Sequence, residues 1–146
     1  MKSSIAFKIA LFVAKDIYLK EALLVFLGGG LGSLSRYGVS LFFIKLSNWQ
    51  FTPTVATITA NILSCIVLML VWLGIENGRL DPSMRFLLLV GFCGGFSTFS
   101  TFSFETFQFI RQGLWLPAIL NVGISVIACL VVMWLVYRSG APLPSA

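Results

Sequence analysis

Four long apolar runs separated by short polar stretches set the pattern of this chain, at roughly Ala22–Ile44, Thr54–Gly74, Met84–Phe107 and Leu114–Tyr137. A helix crossing hydrocarbon needs about 20 mostly apolar residues, and each run meets that length. Between them, "KLSNWQFTP", "IENGRLDPS" and "FIRQG" hold the basic residues, prolines and asparagines of membrane edges and turns. The pattern predicts an all-α membrane protein with four transmembrane helices in one domain, residues 22–138. An extension, residues 1–21, precedes it and a short tail, residues 139–146, follows. Composition agrees: only 10% of the 146 residues are charged and the mean hydropathy is +0.98. An ordinary soluble domain is about 25% charged, so these residues could not build a water-facing surface.

The extension, "MKSSIAFKIALFVAKDIYLKEA", has the basic start and apolar patch of a secretory signal. Lys8 and Lys15 interrupt the patch and no small-residue cleavage site follows it. It reads instead as a short interfacial helix that keeps Lys2, Lys8, Lys15 and Lys20 near headgroups.

The net charge of +5 raises nucleic-acid binding, but the ten basic residues are scattered along helix edges rather than gathered with interleaved aromatics. Membrane orientation accounts for them better. With four crossings, the side holding both termini carries Lys2, Lys8, Lys15, Lys20, Arg79, Arg85 and Arg138, against Lys45 and Arg111 opposite. That bias of seven to two places both termini in the cytoplasm, and without the extension it falls to three to two.

Cys65, Cys93 and Cys129 fall in three different spans, and histidine is absent from the chain. Neither a disulfide framework nor a metal cage has the spacing it needs, and the cysteines read as small apolar packing residues. Of the five acids, only Glu105 falls near the end of a span. With no carboxylate pair, no nucleophile beside a base and no phosphate-binding loop, catalysis is excluded. Transport remains, or passive packing with other membrane proteins.

Polar residues inside the spans bear on that choice, because a polar group in hydrocarbon needs a partner or a path. The first span holds "GGGLGSLSRYG", whose Gly28, Gly29, Gly30 and Gly32 suit close helix contact. Arg36 lies about two thirds along it, where a charge costs about 2.5 kcal/mol or more unless it snorkels or faces a wet vestibule that gathers anions. In the second span Thr57, Asn61 and Ser64 share one face, and in the fourth Asn121, Ser125 and Cys129 are spaced by four. Each stripe suits either interhelical hydrogen bonds or contact with an ion.

The third span is the most unusual, with Gly94 and Gly95 beside a dense hydroxyl run in "GFCGGFSTFSTFSFE". That mixture weakens helix propensity and predicts a break in the helix near its middle. Non-helical backbone at membrane depth survives only inside protein or beside a wet cavity. Phe99 and Phe102, three apart, share a face as core residues often do, yet their electropositive ring edges could also touch a small anion.

These segments resemble the signature segments of the Fluc fluoride channels, also called CrcB proteins: "GGGLGSLSRYG", Asn61 within "ATITANILS", and above all "GFCGGFSTFSTFSFE". The likeness spans about Val25 to Leu135 and omits the extension. It implies a multi-pass protein of the cell inner membrane and a subunit that pairs antiparallel with its twin, in dual topology. It further implies two fluoride pores along the interface and a structural sodium ion at its centre. On this chain, Gly94 and Ser97 match positions whose backbone carbonyls bind sodium. Phe99 and Phe102 match the aromatic box, Asn61 the pore-facing amide and Arg36 the vestibule arginine. Ser100, Thr101 and Ser103 lie in the hydroxyl run lining the path, and Ser125 matches a pore-facing serine of the fourth helix.

Several positions depart from that pattern. Ala56 opens the second-span motif where glycine is usual, Ser64 replaces a later glycine, and Ser97 stands where threonine is common. Asn121 and Cys129 replace residues often Tyr or Ser and Ser or Gly. The uneven charge bias sits poorly with a chain inserting both ways, so the implied partner is either a second copy or an oppositely oriented paralogue. Two rival functions stand beside passive fluoride export. A small multidrug exporter exchanging protons for drugs needs a membrane carboxylate, for which Glu105 is the candidate. A non-transporting assembly subunit would use the same polar residues as packing bonds.

Overall fold

The computed structural model describes residues 2–140, with side chains described from Tyr18 onward. Helix α1 spans Lys2–Leu46 and α2 spans Thr52–Glu76. The third crossing is assembled from a π-helical half, Arg85–Cys93, a single turn α3, Gly94–Phe96, and α4, Phe99–Arg111. Helix α5, Trp115–Gly140, completes the bundle. The stretches Tyr18–Leu46, Thr52–Glu76, Arg85–Arg111 and Trp115–Gly140 are each long and apolar enough to cross a membrane. Among the described residues there is no strand. In the extension the backbone of α1 runs on into the first span as one helix.

Short turns reverse the chain where glycine permits it. Gly78 and Gly113 adopt positive φ, 65° and 74°, just past the ends of α2 and α4. Both close as helix C-terminal motifs, in which Arg79 N–H donates to the Gly74 carbonyl (2.8 Å) and Leu114 N–H to that of Phe109 (2.8 Å). At the first of these turns the N–H of Ser83 donates to Asp81 Oδ1 at 2.8 Å. The Ser83 hydroxyl and N–H, with Lys20 nearby, hold the Asp81 carboxyl below its ordinary range. Lys20 and the loop between α2 and the third crossing therefore share one end of the bundle. At the other end Trp49, Phe51 and Phe109 cluster, with ring centroids 4.9 and 5.5 Å apart. Such rings suit a membrane interface.

The interior is built from small residues rather than large ones, as expected where lipid is as apolar as the core. Ala56, Ala60 and Ser64, spaced by four on α2, are 1%, 1% and 2% exposed. Large apolar side chains such as Phe26, Leu31, Trp134 and Leu130 face outward. On α1, the glycines prove to be contact points with the third crossing. A Cβ on Gly28 would collide with the Leu87 carbonyl, and one on Gly32 with that of Phe92. Gly95 in turn meets the Gly29 carbonyl, while Gly30 has open space around it.

The third helix breaks as the sequence suggests, but not at its glycines. Gly94 and Gly95 are helical, and the backbone leaves the helix at Ser97 (φ −76°, ψ 155°) and Thr98 (φ −148°, ψ 106°). Gly95, with Gly91 before it, allows the close approach to α1 while Gly94 has open space, whereas the break is stabilised by Thr98, whose Oγ1 accepts from Thr101 N–H at 3.2 Å to cap α4. The π-helical geometry of Arg85–Cys93 has no counterpart in the sequence reading, which treats that half as an ordinary helix.

Candidate functional site

The break redirects two backbone N–H groups that a continuous helix would have used. Thr98 N–H donates to Asn61 Oδ1 at 2.9 Å, and Thr101 N–H goes to Thr98 Oγ1. Their helical acceptors, four residues earlier, would have been the carbonyls of Gly94 and Ser97. Those two oxygens thus lose their intrahelical donors, and uncommitted carbonyls are hard ligands of the kind alkali and alkaline-earth cations take. Among the described residues no group of three or more His, Cys, Asp or Glu is placed to hold a metal.

Two cavities flank the break, and Thr98 borders both. The first, about 280 Å3, is lined by Asn61, Ser97, Phe99, Phe102, Ser125 and the thiols of Cys65 and Cys129, among others. The rings of Phe99 and Phe102 lie 5.7 Å apart with planes tilted by 42°. Phe99 is 80% exposed, so its ring is not a core residue of this chain. With the Asn61 oxygen committed to Thr98, the amide nitrogen is left as the donor of that side chain. The second cavity, about 300 Å3, is lined by Ser33, Arg36, Tyr37, Ser40, Thr57, Thr98 and Thr101. Arg36 therefore borders a space surrounded by hydroxyls.

A relay of hydroxyls ties the two spaces together. Thr98 Oγ1 donates to Thr101 Oγ1 at 3.0 Å and lies 3.3 Å from Ser100 Oγ. Ser97 Oγ donates to the Cys93 carbonyl at 2.9 Å, which Ser64 Oγ also reaches at 3.1 Å. Ser64 and Ala56, both departures from the glycines of the resemblance, thus occupy buried sites that admit only small residues. Ser103 is half-buried on α4 and borders neither cavity.

On α5 the polar stripe divides. Ser125 and Cys129 border the first cavity, whereas Asn121, 3% exposed, sits beside a separate space near Trp49 and Phe51. Asn121 Nδ2 donates to Thr106 Oγ1 at 2.9 Å, Thr106 donates to the Phe102 carbonyl at 2.8 Å, and Ser125 Oγ donates to Asn121 Oδ1 at 3.4 Å. On the α2 side Thr57 Oγ1 donates to Glu105 Oε1 at 2.7 Å, while Glu105 Oε2 is buried with no hydrogen-bond partner. These bonds clamp α4 between α2 and α5.

Sequence reasoning missed Thr98 as the residue that caps α4, donates its N–H to Asn61 and borders both cavities. Its signal is a threonine three residues before Thr101 at the start of a new helix. It also read Cys65 as packing alone, although Cys65 follows Asn61 by one turn.

The family pattern described as CrcB-like protein, Camphor Resistance (CrcB), matches residues 23–137. The chain belongs to the CrcB family. Among relatives, the chain is 40% identical over 117 residues to the Fluoride-specific ion channel FluC of Methylobacillus flagellatus, covering 79% of this chain and 90% of the relative. It is 41% identical over 118 residues to the protein of that name from Coxiella burnetii strain Dugway, covering 79% and 93%. The Pyrococcus furiosus protein so named is 37% identical over 117 residues, covering 80% and 93%. This CrcB protein is thus a multi-pass membrane protein, and the match leaves out the whole extension.

Proposed function

We propose that this CrcB-family protein is a fluoride channel of the cell inner membrane, exporting fluoride passively and catalysing no reaction. The observation that carries the reading is the first cavity, where two phenylalanine rings, the Asn61 amide and serine hydroxyls converge beside a break in a membrane helix. Relatives sharing about two fifths of their residues with it carry the name of that function.

Fluoride is small and tightly hydrated, so a pore must replace its water with weak donors and avoid a buried full charge that would hold it. In this reading Arg36, bordering the second cavity, raises the local anion concentration without entering the narrow lane. Asn61 Nδ2 in the first cavity and the hydroxyl of Thr101 in the second donate to the passing ion, with Ser100 beside Thr98 between them, Ser125 lining the first cavity, and the ring edges of Phe99 and Phe102 flanking the path. The lane lies on the surface of one chain, with Phe99 outermost, and a second copy packed antiparallel would close it. A partner made of an oppositely oriented paralogue is the alternative. The carbonyls of Gly94 and Ser97, freed by Thr98 and Asn61, fit a structural sodium ion, which supplies charge and cross-linking to the break when bound. The membrane potential draws the anion outward, at about 2.3 kcal/mol per charge for each 100 mV.

The test is efflux from liposomes loaded with fluoride and held under a potential that pulls anions out. Fluoride current with no proton requirement is the expected result. Exchange of a cationic drug for protons through Glu105 would instead identify a multidrug exporter. If neither occurs, the protein is an assembly subunit and the channel reading is wrong.

A further inference from the structure

Two thiols sit in the wall of the first cavity. Cys65 follows Asn61 by one turn of α2, and Cys129 follows Ser125 by one turn of α5. Both are half-buried, both border the same space as Phe99 and Phe102, and α2 packs against α5. Cys93, the remaining thiol, is 2% exposed and outside the cavity lining.

Beside the apolar Phe99, Phe102 and Val126, the other polar groups of that wall are the Asn61 amide and the hydroxyls of Ser97, Thr98 and Ser125, which are hard donors and poor ligands for a soft cation. Sulfur is the reverse: thiolates select soft metals. Two sulfurs without further soft ligands suit a cation content with two-coordinate, nearly linear geometry. We propose that Cys65 and Cys129 form a two-thiolate site for a soft d10 cation of low coordination number, of the Hg2+ or Ag+ class. On binding Hg2+, each thiol releases its proton to water, two mercury–sulfur bonds form, and no electrons are transferred. The product is a neutral bis-thiolate that occupies the cavity beside the two rings. Because two protons leave, binding strengthens as pH rises. A further consequence, which rests on the channel reading, is that the bound cation stops fluoride passage.

The experiment begins with the purified full chain in detergent, titrated with Hg2+ while the mercury–thiolate charge-transfer absorbance is followed. The expected result is a tight phase ending at one Hg2+ per chain. Cys65→Ala and Cys129→Ala each remove that phase, weakening binding by about 100-fold or more, since the second thiol acts at high effective concentration. Cys93→Ala leaves it in place. A tight phase surviving in either cavity variant, or lost only in the Cys93 variant, overturns the site. As a check that requires no variant, mass spectrometry of the mercury-loaded wild-type chain after proteolysis should find one mercury joining the α2 and α5 peptides. Mercury confined to a single peptide overturns it equally. In liposomes Hg2+ should block fluoride efflux reversibly with dithiothreitol. Efflux absent before mercury is added would defeat the channel reading while leaving the absorbance result standing. A confirmed site with unblocked efflux would defeat its placement in the lane.

Discussion

At the scale of single residues, Thr98 does more than any side chain the sequence singled out. It ends one helical segment, caps the next and donates its N–H to Asn61, so three functions of the break converge on one hydroxyl and one N–H. Asn61 was legible as an intramembrane amide, but its role as acceptor for a specific N–H depends on a residue 37 positions away. Phe99 and Phe102 were equally legible as a pair, and their spacing alone fits a packed core. The 80% exposure of Phe99 takes its ring out of the core of this chain, and the anion contact is what the fluoride reading adds. Phe99→Ile combined with Phe102→Ile should therefore abolish fluoride efflux while the protein still folds and keeps its oligomeric size on gel filtration. Efflux at the wild-type rate would remove the rings from the permeation path.

Among the elements, the third crossing departs most from a regular helix. Its first half widens into π geometry and its second half starts afresh after two extended residues. The hydroxyl-rich sequence announced a break but misplaced its cause, because glycine lowers helix propensity wherever it stands. Here Gly95 remains helical and its missing side chain serves packing instead. Gly95→Ala drives a methyl group into the Gly29 carbonyl, and overpacking of this kind costs about 1–3 kcal/mol. Gly30→Ala, with open space around its site, should leave stability unchanged. Thermal unfolding in detergent, followed by circular dichroism, distinguishes them. Equal midpoints would show that the contact between α1 and the third crossing tolerates extra volume.

For the whole molecule, the issue is how one asymmetric chain sits in a bilayer. The side carrying Lys20, Arg79, Arg85 and Arg138 is the more basic even before the three earlier lysines are counted. An antiparallel pair of identical chains requires that some copies insert against this bias. With a reporter fused to the C-terminus, the full chain should appear in both orientations, and removal of residues 2–20 should bring the two populations closer to equal. A single orientation in both forms would rule out the homodimer and require an oppositely inserted partner.

The apolar spacing alone was enough to establish four crossings and their approximate limits, because hydrocarbon thickness and the cost of bare polar groups act on each segment separately. The break in the third crossing was also visible, as a local conflict between hydroxyls and helix. Packing alone decided the rest: which glycines touch, which carbonyls lose their donors, and that Asn61, Phe102, Ser125 and two thiols share one cavity. Those outcomes depend on contacts between residues far apart in the chain, and such contacts exist only once the helices have packed against one another.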